Sequence, residues 1–177
     1  MAKILIVYST TDGQTEKICH RLQQVIEQHS HQTTVVSVTA ASQVDLTEFD
    51  TIVIGASIRY GKHSPHIVDF IEKNRRILES KPNAFFSVNV VARKPEKSEP
   101  ENNPYLQKFL KRITWKPDKL AVFAGKIDYP SYNFFDRSII RLIMWMTHGP
   151  TDPSAIIEFT DWEKVDAFGH IISTINK

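Results

Sequence analysis

Short apolar runs alternate with amphipathic helical patterns along the whole chain. Five apolar runs have the length and composition of buried β-strands. They lie at residues 4–8, 34–38, 51–56, 84–91 and 120–124. Apolar residues recur at helical spacing over residues 15–28, 65–78, 104–113 and 162–175. Strands that alternate with crossover helices predict a parallel sheet covered on both faces, which is the α/β class.

Length and composition bound the organisation of the chain. At 177 residues, with 41% hydrophobic and 24% charged residues, it is long enough for a full core and is not disordered in composition. No repeat or linker divides it, so we predict a single domain over residues 1–177. The single cysteine, Cys19, excludes an internal disulfide and lies within an apolar helical pattern. A core position for Cys19, a reducing compartment and a cytosolic origin without a signal peptide are therefore expected.

A loop rich in hydroxyl groups, called the first loop below, follows the first predicted strand and opens a helix. It consists of Ser9, Thr10, Thr11, Asp12, Gly13, Gln14 and Thr15. The unpaired amides and the macrodipole of a helix N-terminus favour a bound anion, and the hydroxyl groups add further donors. No lysine follows Gly13 and Gly-x-Gly-x-x-Gly is absent, which argues against a P-loop and against a dinucleotide fold. The first loop predicts a phosphate site, with an ordinary β-to-α turn as the alternative. It resembles the loop that holds the FMN phosphate in flavodoxins.

Two further loops follow the third and fourth predicted strands, at the edge where open α/β sheets bind ligands. The second loop contains Ser57, Ile58, Arg59, Tyr60 and Gly61, and the third loop contains Asn89, Val90, Val91, Ala92, Arg93 and Lys94. The resemblance to flavodoxins implies that both loops contact the flavin. Tyr60 is suited to stack on the flavin ring, and Arg59 to stabilise a reduced flavin or bind a substrate carboxylate. Arg93 and Lys94 suit an anionic substrate, although solvated surface loops are the alternative for both segments.

The third loop carries no aromatic residue. Electron-carrier flavodoxins commonly place an aromatic side chain there, against the outer face of the flavin. We therefore expect one face of the flavin to be uncovered, so that a substrate can reach the ring.

A long insertion, at about residues 128–155, interrupts the fifth predicted strand before the chain resumes at residues 156–159. Its most apolar part, Phe134 to Met146, would span about 20 Å as a helix, which is too short for a bilayer core of about 30 Å. Three alternatives remain for this helix. It lies in a membrane interface with Arg137 and Arg141 toward lipid phosphates, it lines an apolar substrate site, or it packs on its own sheet.

The basic residues cluster in one region. Residues 93–147 carry eleven Lys and Arg against six Asp and Glu, and the rest of the chain carries eleven against fourteen. The overall charge of +2 thus combines +5 in that region with −3 elsewhere. This distribution favours an anionic substrate or an anionic membrane surface over a basic redox partner. No recognition motif accompanies the basic residues, so nucleic acid is not an expected partner.

Four segments together are similar to the flavodoxin-like protoporphyrinogen IX dehydrogenases that use menaquinone. They are Gly55-Ala-Ser-Ile-Arg-Tyr-Gly61, the run from Ser87 to Lys97, Asp136-Arg-Ser-Ile-Ile-Arg-Leu-Ile-Met144 and Phe159-Thr160-Asp161-Trp162. The resemblance covers essentially the whole chain. It implies a doubly wound, flavodoxin-like sheet of five parallel strands with helices on both faces and bound FMN.

The resemblance also implies an activity. Protoporphyrinogen IX is oxidised to protoporphyrin IX in haem biosynthesis, and the electrons pass to menaquinone at the cytoplasmic face of the bacterial inner membrane. The flavin carries the chemistry, and Arg59, Arg93 and Lys94 are the candidate catalytic residues. His63 and His66, without further ligands, are interpreted as surface residues rather than a metal site.

Two other functions are compatible with the same fold. An electron-carrier flavodoxin has no small-molecule substrate, and the basic charge and the apolar insertion argue against it. An NAD(P)H:quinone oxidoreductase needs a nicotinamide site, for which the sequence shows no motif. The sequence leaves open whether the chain forms a homo-oligomer.

Overall fold

The computed structural model describes residues 1–175 and confirms the α/β prediction. Asn176 and Lys177, which the single-domain prediction includes, lie outside the described residues. The strands are β1 (Lys3–Ser9), β2 (Gln32–Ser37), β3 (Thr51–Arg59), β4 (Lys62–His63), β5 (Asn83–Asn89), β6 (Lys119–Ala124), β7 (Lys126–Asp128) and β8 (Ile156–Glu158). The helices are α1 (Gln14–Gln28), α2 (Pro65–Ser80), α3 (Pro104–Arg112), α4 (Phe134–Met146) and α5 (Trp162–Ser173).

Five parallel strands form the central sheet in the order β2-β1-β3-β5-β6. The strand order reverses between β1 and β3, which is the switch point of a doubly wound sheet, where ligands bind outside the carboxyl ends of the strands. β1, β3 and β5 end at this edge and lead into the first, second and third loops. The topology therefore brings the three predicted loops together.

Apolar residues fill both faces of the sheet. One layer joins β1, β3, β5 and β6 to α1 and α5, through side chains such as Leu22, Phe86 and Phe168. The other layer joins the same strands to α2 and α3, through side chains such as Ile71, Phe85 and Phe109. Cys19 lies fully buried in the first layer, as expected, and burial raises the pKa of its thiol. Burial of both sheet faces explains why the strands are continuous apolar runs.

The fourth predicted strand ends earlier than its apolar pattern indicates. β5 stops at Asn89, and residues Val90–Arg93 form a turn of 3₁₀ helix instead. The Asn89 side chain accepts a hydrogen bond from the Ala92 amide at 3.1 Å, which caps that turn. A local side-chain cap thus ends the strand although the following residues, Val90 and Val91, favour extended structure.

The insertion begins after β6, as predicted, but the strand that follows it differs from the expectation. β8 pairs antiparallel with β7 in a separate sheet of two strands and does not rejoin the central sheet. The insertion has a small core of its own, made of Ile127, Tyr129, Tyr132 and Met144, all buried. Burial of these four side chains stabilises the insertion as a separate layer beside the sheet edge.

Candidate functional site

A cleft opens at the carboxyl edge of the sheet, beside the switch point. The three loops form its floor and two walls, and residues of β7 and α4 close it from the side of the insertion. The cleft encloses about 900 Å³ including its open mouth, within the usual range of cofactor and ligand sites. The fold thus places the predicted loops and the insertion around one space.

The N-terminus of α1 is open toward this cleft. Side chains of Ser64, Asn103, Asn133 and Asp161 cap the other four α-helices of the described residues. At α1 the capping position is Gly13, which has a left-handed backbone with φ of 87° and supplies no side-chain acceptor. The first amides of α1 therefore have no partner from a cap and can bind an anion.

Two buried hydroxyl groups beside this helix end have no hydrogen-bond partner, Ser9 Oγ and Thr15 Oγ1. Thr15 is fully buried in the first turn of α1, and Ser9 is the last residue of β1. Buried hydroxyls are rarely left unpaired because desolvation costs about 1–3 kcal/mol. A phosphate bound at the end of α1 would pair with both groups, so the residues present fit the FMN phosphate.

Other residues of the first loop shape the site. Thr10 Oγ1 accepts a hydrogen bond from the Gly13 amide at 2.9 Å, which closes the loop. The buried side-chain amide of Gln14 donates from Nε2 to Thr160 Oγ1 at 2.9 Å, and the Thr160 hydroxyl donates to the Ala124 carbonyl at 2.7 Å. This chain of bonds fixes the first loop to the end of β6. Thr11 and Asp12 line the cleft, and Ser9 lines a second groove that adjoins it.

The second loop is the end of a β-hairpin. β3 continues through Ser57, Ile58 and Arg59, and β4 returns antiparallel with Arg59 opposite Lys62. Tyr60 and Gly61 turn the chain with φ of 50° and 74°. Two consecutive residues with positive φ are the signature of a type I′ hairpin turn, which favours glycine. The hairpin presents the half-exposed Tyr60 ring at the cleft mouth.

Arg59 is paired across the cleft floor. Its Nη2 contacts Asp12 Oδ1 at 2.7 Å, and its guanidinium lies 5.3 Å from the centroid of the Tyr132 ring and 5.8 Å from that of Tyr60. Burial raises the pKa of Asp12, and the positive charge of Arg59 opposes that shift. The guanidinium thus joins the first loop, the second loop and the insertion.

Arg93 of the third loop binds the insertion. Its Nη1 donates to the Val90 carbonyl at 3.1 Å, and its Nη2 donates to the Thr147 carbonyl at 3.1 Å and to Thr147 Oγ1 at 3.3 Å. Burial lowers the pKa of this guanidinium. Thr147 is the C-terminal cap of α4, where carbonyl groups lack helical partners. Arg93 lines the cleft and also latches the end of α4 to the third loop.

The predicted site residues divide into two groups. The lining of the cleft includes every predicted residue of the second loop and Thr10, Thr11, Asp12, Gln14, Thr15, Asn89, Val90, Val91 and Arg93. Ser9, Gly13, Ala92 and Lys94 are not among the lining residues. Ser9 and Gly13 shape the phosphate end, and Ala92 donates its amide to Asn89. Lys94 ends the 3₁₀ turn away from the cleft lining.

Sequence reasoning missed several residues of the cleft. Tyr105 from the first turn of α3, Lys126 from β7 and Tyr132, Ile140, Ile143, Met144 and Thr147 from the insertion all line it. The third loop lacks an aromatic residue, but aromatic rings reach the cleft from α3 and the insertion. The insertion therefore forms part of the cleft wall, and the uncovered flavin face stays a prediction. The apolar content of the insertion was the one feature of the sequence that could have indicated its cleft residues, and it was equally compatible with a membrane surface.

His63 is not the surface residue that the sequence suggested. It is buried, its Nε2 lies 2.9 Å from Ser87 Oγ, and its ring is 4.4 Å from that of Phe109. Burial lowers the pKa of His63 to about 3, so the imidazole is neutral near pH 7. Within residues 1–175, no three His, Cys, Asp or Glu side chains are grouped as a metal site would require.

α4 is apolar on two opposite faces. Its inner face, Ile140, Ile143 and Met144, lines the cleft. Its outer face is exposed, with 42% to 77% of each side chain accessible, and consists of Phe134, Phe135, Ile139, Leu142, Trp145 and Met146. Across the described residues, no helix has both the length and the apolarity that a membrane span requires. Contiguous exposed apolar side chains of this kind mark interaction surfaces.

The arginines of α4 are used within the insertion. Arg137 donates to the Tyr129 and Tyr132 carbonyls at 3.2 and 3.3 Å, and Arg141 donates to the Thr151 carbonyl at 2.8 Å. Of the three alternatives for this helix, the lining of an apolar cleft is observed. Its inner residues Ile140 and Met144 also pack in the small core of the insertion, the outer face is exposed, and contact with a membrane stays a prediction.

Comparison with known proteins agrees with this geometry. Residues 5–154 match the family model described as a flavodoxin domain. The oxidised flavodoxin 1 of Bacillus cereus has the same fold, with a TM-score of 0.53, 16% identity and coverage of 96% of this chain and 95% of that chain.

Two curated relatives define the group more narrowly. Protoporphyrinogen IX dehydrogenase [quinone] of Escherichia coli K12 is 43% identical over 97% of this chain and 94% of its own length. The protein of the same name from Leishmania major is 40% identical over 94% of this chain and 72% of its own length. The chain belongs to the flavodoxin-like protoporphyrinogen IX dehydrogenase family, a family of oxidoreductases.

Proposed function

We propose that this protein binds FMN and oxidises protoporphyrinogen IX to protoporphyrin IX in haem biosynthesis, with menaquinone as the electron acceptor. The observation that carries the proposal is the two-ended cleft. One end has unpartnered hydroxyls at a helix N-terminus, and the other has an apolar wall supplied by the insertion. The names and the full-length similarity of the curated relatives support the same substrate and a quinone acceptor.

The first loop would hold the FMN phosphate. Ser9 and Thr15 would donate their hydroxyl protons, and the first amides of α1 would add further donors. Bound FMN supplies the redox chemistry: in each of three rounds the substrate gives up a hydride equivalent and a proton, and the electron pair passes to the quinone. The aromatic walls at Tyr60 and Tyr105 suit a planar ring system.

The insertion end of the cleft suits the substrate. Protoporphyrinogen is an apolar macrocycle with two propionates, so it needs an apolar surface and a few cationic groups. Ile140, Ile143 and Met144 provide the surface, and Arg59, Arg93 and Lys126 are the cations that line the cleft. Arg59 and Lys126 are already paired, with Asp12 at 2.7 Å and Asp128 at 3.2 Å, so a propionate would bind to either as a third member of an existing ion pair.

The outer face of α4 supports association with the cytoplasmic face of the bacterial inner membrane. Menaquinone is dissolved in the bilayer, so the cleft must come close to the lipid. The outer face carries Phe134, Leu142 and Trp145 on the helix whose inner face walls the cleft. A helix that lies in the interface would bury these side chains at the headgroup boundary. The protein would thereby bring the cleft to the quinone.

An anaerobic steady-state assay tests the activity. Purified protein, FMN, protoporphyrinogen IX and menaquinone in anionic lipid vesicles should yield protoporphyrin fluorescence at a rate that depends on the quinone. Matched reactions with a redox protein as acceptor, or with NAD(P)H as donor, test the two other functions of this fold. Absence of quinone-dependent porphyrin formation, together with rapid reduction of a protein partner or NAD(P)H consumption, would overturn the proposal.

A further inference from the structure

A chain of four buried polar side chains runs beside the cleft, and one of them, Asn89, also lines it. Its members are His63, Ser87, Asn89 and Asn103, and none is more than 6% exposed. His63 Nε2 lies 2.9 Å from Ser87 Oγ, and Asn89 Nδ2 donates to the same oxygen at 3.2 Å. Asn103 Nδ2 donates to Asn89 Oδ1 at 3.1 Å. The four side chains form one continuous hydrogen-bonded chain.

Three members of this hydrogen-bonded chain each hold a segment that lines the cleft. His63 belongs to β4, two residues after the Tyr60–Gly61 turn of the second loop. Asn89 Oδ1 accepts the Ala92 amide of the third loop at 3.1 Å. Asn103 Oδ1 accepts the Leu106 amide at 3.1 Å and caps α3, whose first turn carries Tyr105. Three separate walls are thus tied to one internal chain.

An apolar residue would fill the position of His63 at a lower desolvation cost. Its ring packs against the rings of Phe109 at 4.4 Å and Phe85 at 5.8 Å, in a layer that is otherwise apolar. Burying a polar ring costs free energy unless its hydrogen bonds are made. Buried polar groups with satisfied bonds fix one arrangement where apolar contacts tolerate several. Phenylalanine could make the same ring contacts at this position, but only histidine can also form the hydrogen bond to Ser87.

We propose that the chain from His63 through Ser87 and Asn89 to Asn103 holds the second loop, the third loop and the start of α3 in the cleft-forming arrangement before ligand binds. His63, Ser87 and Asn103 are positioning residues, because they do not line the cleft and act on it through the segments that they hold. A cleft that is preformed binds its ligand without the cost of ordering loops. The identity of that ligand as FMN rests on the proposed function, whereas the ordering of the loops does not.

Amide hydrogen exchange of the ligand-free protein tests the ordering directly. The variants are His63→Phe, which keeps the ring contacts, Ser87→Ala, which is the smallest change, and the double variant. We expect the Ala92 and Leu106 amides to exchange about five- to tenfold faster in each variant, since one hydrogen bond contributes about 1 kcal/mol. The double variant should match the single variants, because both remove the same link.

The matched control is Asn83→Ala. Asn83 is as deeply buried as Asn89 and lies on the same strand, at the end away from the cleft. This variant should lose stability while the exchange of Ala92 and Leu106, relative to global unfolding, stays at the level of the unmodified protein. Unchanged exchange of those two amides in both His63→Phe and Ser87→Ala would overturn the proposal and reduce the chain to core packing.

Titration of the ligand-free variants with FMN, followed by flavin fluorescence, adds a second readout. The dissociation constant should rise about five- to tenfold in His63→Phe and Ser87→Ala and stay unchanged in Asn83→Ala. Faster exchange with an unchanged dissociation constant would overturn the link between loop order and affinity. If the unmodified protein fails to bind FMN, the proposed function fails, and the exchange measurement still decides the ordering.

Discussion

The flavodoxin-like body and the insertion leave opposite kinds of groups unsatisfied. In the body, apolar side chains are buried on both sheet faces, and the exceptions that stand out are polar, the unpartnered hydroxyls of Ser9 and Thr15. In the insertion, the arginines and helix ends have hydrogen-bond partners, and the exceptions are apolar. Six large apolar side chains of α4 face outward.

The two regions thus offer different groups to a binding partner. A buried hydroxyl without a partner fits an anionic group that enters the protein. An exposed apolar face fits a surface that covers the protein from outside. The cleft lies between the two regions, so a cofactor held by the body would meet molecules that arrive along the insertion. Four experiments test it.

The largest effect is expected at the phosphate end. The double variant Ser9→Ala, Thr15→Val removes two donors to a charged phosphate, at about 1.5–3 kcal/mol each, and should weaken FMN binding by at least a hundredfold. Thr33→Val is the matched control, because Thr33 Oγ1 is also unpartnered but lies on β2, away from the cleft. Fluorescence titration measures the affinity, and an unchanged dissociation constant in the double variant would show that the phosphate binds elsewhere.

A smaller but still large loss is expected when the outer face of α4 is made polar. Replacing Phe134, Leu142 and Trp145 by Gln should lower the partition coefficient onto anionic vesicles by about a hundredfold, because each buried side chain contributes roughly 1 kcal/mol or more. Sedimentation with the vesicles measures this coefficient. FMN affinity should stay unchanged, because these residues do not line the cleft. Ile171→Gln, at an exposed apolar position of α5, is the control. Sedimentation of the triple variant at the level of the unmodified protein would leave the face without a role in lipid binding.

The stability of the ligand-free protein should depend on pH through His63. Because burial lowers the folded-state pKa of His63 from 6.5 to about 3, the unfolded chain binds the proton first as the pH falls. The contribution of His63 to the unfolding free energy is therefore fully present above about pH 6.5. It is lost as the pH falls toward 3, by about 1.4 kcal/mol per pH unit at most.

Urea denaturation at pH 7 and at pH 4.5 measures this loss. The loss of unfolding free energy should be about 2–3 kcal/mol larger in the unmodified protein than in His63→Phe. Since carboxylates titrate in both proteins, only the difference between them is diagnostic. An identical pH dependence would mean that His63 is already protonated or exposed in the folded state.

The smallest effect concerns the latch between the body and the insertion. Arg93→Gln removes donors to Thr147 at the end of α4, so the α4 amides should exchange about tenfold faster, for a loss of roughly 1–2 kcal/mol. Gly149→Ala should act in the same direction, because a Cβ there would lie 2.8 Å from the Arg93 guanidinium and 2.0 Å from Met144.

Lys94→Gln is the control for this latch, because it makes the same change of charge one residue further along and does not line the cleft. If Arg93 instead bound a propionate, Arg93→Gln would lower porphyrinogen turnover while α4 exchanged at the rate of the unmodified protein. That result would replace the latch by a substrate contact.

Much of the fold follows from local pattern. The apolar runs of β1, β3 and β6 and the helical periodicity of α1 and α2 are contiguous in sequence, so their elements were predictable to within a few residues. The first loop was readable for the same reason, since its hydroxyls and the helix that it opens are neighbours in the chain. The end of β5 at Asn89 was not predictable, because a side-chain cap there overrides the extended preference of two valines.

The sequence was thus sufficient to predict the α/β class, the edge of the sheet that carries the cleft and the hydroxyl-rich loop that opens α1. The burial of His63, the bond from Arg93 to Thr147 and the division of the apolar residues of α4 between the cleft and the outside depend on how distant segments pack. Arg93 and Thr147 are 54 positions apart, and no local pattern specifies such a pair. The partner of a long polar side chain depends on which distant segments the folded sheet brings within about 3 Å of it.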